Sequence, residues 1–167
     1  MSDSSNICLS CGLCCDGTLI GFVELSREEI PALKKVMDIK DENGHGFFLQ
    51  PCSSFCDGCT VYSERPRHCA SFKCELLKSV EQKNLEFDLA VETISIVKQK
   101  KISIENTLAE LKLELKSKSF YFKMVELKNL LQKKKAESSL NQNQFALISD
   151  LNQLNELLSS KFGAALF

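Results

Sequence analysis

Nine cysteines, all lying between Cys8 and Cys74, are the part of this 167-residue chain equipped for chemistry. Cys8, Cys11, Cys14 and Cys15 run as C-x2-C-x2-C-C, followed by Cys52, Cys56 and Cys59, then Cys69 and Cys74. A soft divalent ion or an iron–sulfur cluster needs thiolates, commonly about four to a centre. A C-x2-C turn offers two sulfurs to one ion, and extending it to C-x2-C-x2-C wraps a third around the same object. Three close thiolates with a remote fourth is a ferredoxin-like arrangement, whereas structural zinc sites more often join two separate pairs. The spacing leans toward iron–sulfur and leaves zinc open.

Cys14 and Cys15 sharpen the argument because successive side chains diverge, by opposite faces in a strand and by about 100° in a helix. The adjacent pair suits two neighbouring centres, or two irons of one cluster, better than one tetrahedral ion. Cys69 and Cys74 are five positions apart, off a shared helical face, so a turn intervenes or they serve different centres. His68, beside Cys69, and His45, in a Gly-His-Gly turn, have the chemistry of ligands. With so many thiolates available, they are expected to lie outside the ligand set.

Composition supports metal over disulfides. The start MSDSSN is polar, with neither the basic segment nor the apolar stretch of a secretion signal, so a reducing cytoplasm is expected. An odd number of cysteines also cannot pair completely within one chain. With 21 basic against 22 acidic residues, bulk attraction to nucleic acid or an anionic membrane is not indicated. No apolar run approaches the roughly 18 residues of a membrane span.

The elements that must position the thiols divide unevenly. All three prolines lie between Pro31 and Pro66, and six of seven glycines at or before Gly58. From Arg67 to Phe162 there is neither. The spacing predicts a mainly α chain. Residues 1–79 form a small, irregular, metal-stapled module with short strands, and residues 80–167 a helical hairpin or bundle, coiled-coil-like in places.

In the first part, TLIGFVEL (18–25) reads as a strand interrupted at Gly21. Ser26 with Glu29 reads as a capping box starting a helix through about Met37. DENGHGFFLQP is a turn leading into an extended stretch, and Pro66 opens a short helix. In the second part, helical spacing links Leu108, Leu111 and Leu115, then Phe120, Met124, Leu127 and Leu131, then Leu147, Leu151, Leu154 and Leu158. LEFDLAVETISIV reads as helix or strand, and 133–144 holds a turn between helices. The leucine stripes are core first. A protein partner or self-association through this helical region is the sharper expectation, with no nucleic acid and no membrane as partner.

The blocks CLSCGLCC and C-x6-C-TVYSERPRHC-ASFKC together resemble the YkgJ-like cysteine-cluster family of zinc- or iron-chelating proteins. The match runs from Cys8 to Cys74. It implies a ligand set of Cys8, Cys11, Cys14, Cys15, Cys52, Cys59, Cys69 and Cys74, with zinc or an iron–sulfur cluster as cofactor. Tyr62, Arg65, Pro66 and Phe72 match the framework of the second block. Ala70 stands where that family usually has arginine. Cys56 is extra, read as a packed bystander against the alternatives of a labile ligand or a redox-reactive thiol.

Arg65 is a candidate to balance thiolate charge, since four thiolates on Zn2+ leave a net of about −2. No Gly-rich phosphate loop is present, and nothing singles out one Cys–His pair as nucleophile and base. Whether the chain is an enzyme stays open, and any catalysis would be centred on the metal. The sequence thus leads first to a structural or accessory metal-binding module. A redox protein or component of a cluster-dependent modification system comes second, and a metal carrier third.

Overall fold

The computed structural model describes residues 4–167, with side chains from Ile7 onward, and the chain is mainly α. Of the polar N-terminal stretch read above, Met1–Asp3 lies outside the described residues. Two compact units are present. The first runs to Lys73 and takes in Lys118–Tyr121; the second holds Cys74–Ser117 and Phe122–Phe167. The change of unit therefore falls at Cys74, whereas the composition shift suggested residue 80.

The first unit begins with α1 (Ser4–Cys11), an element the glycine-rich composition did not suggest. It ends at Gly12, whose φ of +68° is the left-handed value that stops helices. A Cβ at Gly12 would stand 2.6 Å from Phe55 Cζ, so the position needs both the freedom and the smallness of glycine.

Strand β1 (Phe22–Leu25) follows, then α2 (Ile30–Leu33), β2 (Lys40–Glu42) and β3 (His45–Leu49). The sheet order is β1-β3-β2, antiparallel throughout, with Val23 opposite Phe48 and Glu42 opposite His45. Asn43 and Gly44 carry the hairpin, both at positive φ (56° and 78°), as a two-residue turn of the primed type requires. The Asn-Gly pair signals a hairpin, and the expected turn with one extended stretch is instead a turn between two paired strands.

The helix expected from Ser26 to Met37 shortens to four regular residues, Ile30–Leu33, continued by turns to Met37. Pro31 explains the delay. A helix begun at Ser26 would need an amide hydrogen at residue 31, and proline has none. Glu29 still reaches back to Ser26, accepting from its N at 3.0 Å and its Oγ at 2.7 Å. Its other oxygen accepts from Arg67 N at 2.7 Å, at the start of α3 (Arg67–Ser71), which packs on β1. Pro66 caps this helix rather than occupying its first turn.

Alternation in β1 and β3 buries Val23, Leu25 and Phe48 against Ile30, Leu33, Met37 and Cys52. Cys15 and Cys69 pack on the same cluster, half-buried, so thiols form part of the wall of this core.

The second unit contains α4 (Glu75–Glu81), α5 (Phe87–Glu110), most of α6 (Phe120–Ala136) and α7 (Gln142–Phe162). LEFDLAVETISIV resolves as the start of α5, where Ala90, Ile94 and Val97 are buried at helical spacing. Leu111 and Leu115 leave the expected stripe. α5 ends at Glu110, Lys112 turns at φ 51°, and Glu126 holds the following coil by accepting from Lys116 N at 2.9 Å and Ser117 N at 3.1 Å. Met124, Leu127 and Leu131 of α6 and Leu147, Leu151, Leu154 and Leu158 of α7 are buried, as their spacing predicts. α7 opens with a complete capping box between Asn141 and Gln144 and closes at Gly163 in the left-handed conformation. α5 packs on α7, and α4 on both. Among the described residues, no helix is long and apolar enough to cross a membrane.

Candidate metal centre

The candidate ligands sit on short, tightly turned segments. Cys8 and Cys11 lie on the last turn of α1, three apart and so on one face of the helix. Past Gly12 the chain folds back on itself, with Thr18 N and Leu19 N both donating to Leu13 O at 3.0 and 2.9 Å. Cys14 and Cys15 ride this reversal. Cys15 is then tied to the second block, because its carbonyl accepts from Cys52 N at 2.8 Å. Cys59 closes a three-residue reversal by bridging to Phe55, and Cys69 sits on α3.

Four of these thiols act on one another. Burial pushes the Cys15 thiol up to about 12, reinforced in turn by Cys59, Cys52, Cys69 and Asp16. Burial likewise raises Cys69 to about 11, with Cys52 and Cys59 adding to it and Arg65 opposing. Cys52 is raised by burial and by Cys59, against hydrogen bonding from Ser54. Sulfurs from three separate segments thus share one neighbourhood, in which Cys15, Cys52 and Cys69 ionise less readily than ordinary thiols. A bound cation inverts that logic, since it rewards several thiolates at once.

The donor chemistry fits a thiophilic metal, but the side chains do not close on a point. Among the described residues, no group of three or more Cys, His, Asp or Glu is arranged so that it could hold a metal ion as it stands. Electrostatic influence reaches well beyond the roughly 2.3 Å of a zinc–sulfur bond. The quartet is a neighbourhood, not a finished shell. Among the described residues, no two cysteines are joined in a disulfide.

The Arg65 guanidinium lies 3.8 Å over the Tyr62 ring, and its charge favours the thiolate of Cys69. Arg65 itself is extended, and Pro66 then starts the helix that carries Cys69. Y-x-x-R-P is therefore a bracket, in which the tyrosine holds the arginine and the proline launches the turn that bears Cys69.

Cys8, Cys11 and Cys14 are half-buried, in the same unit. Cys74 belongs to the second unit, where its sulfur caps α4 by accepting from Leu77 N at 3.5 Å and burial raises its thiol. His45 and His68 are both exposed. Cys56 is exposed as well, which removes its reading as a packed bystander. Comparison with known protein families, with curated proteins and with solved structures found no match for this chain.

Proposed function

We propose that this chain is a metal-binding cysteine-cluster protein of the YkgJ-like kind, holding zinc or an iron–sulfur cluster through cysteine thiolates. Cys15, Cys52, Cys59 and Cys69 are assigned to one centre, and Cys8, Cys11 and Cys14 supply further thiolates from the adjoining reversal. The observation that carries this reading is the convergence of thiols from separate segments on one apolar cluster: Cys52 lies in it, Cys15 and Cys69 pack against it, the Cys15 carbonyl accepts from Cys52 N at 2.8 Å, and Cys59 acts on all three. When bound, the metal would tie those segments together and contribute folding free energy to a unit with a small apolar core. The protein's own groups hold the thiols near one another, keep water from their core-facing side, and set Arg65 beside Cys69.

The role assigned to the chain is structural or accessory, in a cytoplasmic setting. The second unit has a core of its own, and its exposed Leu89, Ile96 and Ile102 on α5 suit docking to a protein partner or a second copy.

The test is anaerobic purification followed by zinc, iron and acid-labile sulfide measurements on one sample, with its visible spectrum. Zinc without colour supports the structural role. Iron with sulfide and a broad band near ~400 nm supports a cluster and moves redox chemistry forward. Absence of all three after anaerobic expression with metal supplementation would overturn the proposal. Within the same measurement, Arg65→Ala should lose more metal than Arg27→Ala, because Arg65 acts on the Cys69 thiol. Equal retention in the two variants would remove Arg65 from the site.

A further inference from the structure

Cys56-Asp57-Gly58-Cys59 is a second C-x2-C unit, and the four-thiol grouping uses only its last residue. The chain reverses sharply here. Phe55 and Cys59 form an antiparallel bridge, and Cys56 N donates to Gly58 O at 2.9 Å. Asp57 and Gly58 both take positive φ, 51° and 141°. A reversal this tight holds residues three apart within about 7 Å, close to the Cα separations of about 4.4–6.8 Å that disulfides span.

The two thiols differ in access. Cys56 is exposed, Cys59 is half-buried, and each of the other seven cysteines is half-buried or buried. A solvent-borne reagent therefore meets Cys56 first, and the nearest thiol along the turn is Cys59. An accessible attacking sulfur with a sheltered partner behind it is the layout of a thiol–disulfide exchange pair.

We propose that Cys56 and Cys59 form a reversible disulfide by exchange with a small-molecule disulfide, with Cys56 as the attacking and Cys59 as the resolving thiol. The deprotonated sulfur of Cys56 attacks one sulfur of the small molecule. The external S–S bond breaks, one thiolate leaves, and a mixed disulfide remains on Cys56. Cys59 gives its proton to solvent and attacks the Cys56 sulfur, releasing the second small thiolate. Two protein thiols are oxidised by two electrons, one external disulfide is reduced to two thiols, and the two protons end on those thiols. The exchange itself needs no metal. Its consequence, withdrawal of Cys59 from the quartet and weakened metal retention, rests on the metal-binding reading.

The experiment treats the reduced full-length chain with a small excess of glutathione disulfide, alkylates the remaining thiols, and maps the product by mass spectrometry. The first intramolecular product expected is a Cys56–Cys59 link. Cys59→Ser should stop at a glutathione adduct on Cys56. Cys56→Ser, a change at an exposed position, should keep the wild-type circular dichroism spectrum and form at least tenfold less disulfide in the same time. A first link between other cysteines, or a Cys56→Ser chain that oxidises at the wild-type rate, would overturn the proposal. Metal content measured in parallel separates the two readings. A chain that forms the link without ever holding metal defeats only the metal reading. A metal-binding chain whose Cys56 stays reduced, with metal and after its removal, defeats only the exchange pair.

Discussion

The two units of this chain solve the problem of stability with different materials. The second buries long rows of leucine from helices that are themselves regular. Leu147, Leu151, Leu154 and Leu158 alone supply four fully or nearly fully buried side chains. The first has a three-stranded sheet of short strands, a four-residue helix and a five-residue helix around an apolar cluster with thiols in its wall, with Ile7, Leu13 and Leu19 buried besides. Burial of apolar surface is non-directional and adds up side chain by side chain. A thiol wall is marginal by itself, because its groups are half-desolvated and repel one another once charged. On the metal-binding reading proposed above, the first unit depends on its ligand where the second does not.

Removing metal is the sharpest way to break that comparison. After treatment with a strong chelator, hydrogen exchange should accelerate by orders of magnitude across the β1–β3 sheet while α5 and α7 keep their protection. Simultaneous loss in both units, or no change in either, would show that the contrast is false.

The converse change acts on the second unit. Leu154→Ala empties a fully buried site and should cost about 2–5 kcal/mol, as leucine truncation in packed cores does. Chemical denaturation followed by far-ultraviolet circular dichroism measures it, and metal content should stay at the wild-type level.

Gly12→Ala strikes the first unit at a point where sequence and packing converge. The new Cβ would meet the Phe55 ring at 2.6 Å from a backbone at φ +68°. A loss of about 1–3 kcal/mol is expected from the combined strain, together with weaker metal retention. A variant as stable as the wild type, by thermal melting, would mean that the ring and the turn readjust without cost.

The smallest effect concerns Glu126, which is lowered below the ordinary glutamate value first by the amide of Lys116 and then by that of Ser117. A depressed carboxylate stabilises the folded state at pH values above its unfolded pKa. That contribution is lost as pH falls through the lower, folded value. Glu126→Gln should therefore melt slightly lower than wild type at pH 7, and the difference should shrink as pH falls below the ordinary glutamate range. A gap that persists unchanged at low pH would assign the effect to packing instead of charge.

Much of the second unit was legible because its information is local. Helical spacing of Leu147, Leu151, Leu154 and Leu158 gives a face, Asn141 and Gln144 give the start, and Gly163 gives the stop. The stripe failed only at Leu111 and Leu115, where nothing nearby in sequence announces that Glu126 captures the amides of Lys116 and Ser117. In the first unit, Pro31 shortened an expected helix by a rule that could have been applied, and Asn43-Gly44 marked a hairpin that was only half read.

Neighbouring residues specify the inventory: where the thiols lie, the brackets around them in C-x2-C-x2-C-C and Y-x-x-R-P, and which half is helical. Only the tertiary structure decided the grouping. Cys15, Cys52, Cys59 and Cys69 share a neighbourhood because a backbone hydrogen bond joins Cys15 to Cys52, a three-residue reversal sets Cys59, and α3 carries Cys69 onto β1. Cys56, three positions from Cys59, is left facing solvent. Spacing along a chain limits which sulfurs can meet. Which of them do is fixed by packing between distant segments, and burial then sets what each thiol can do.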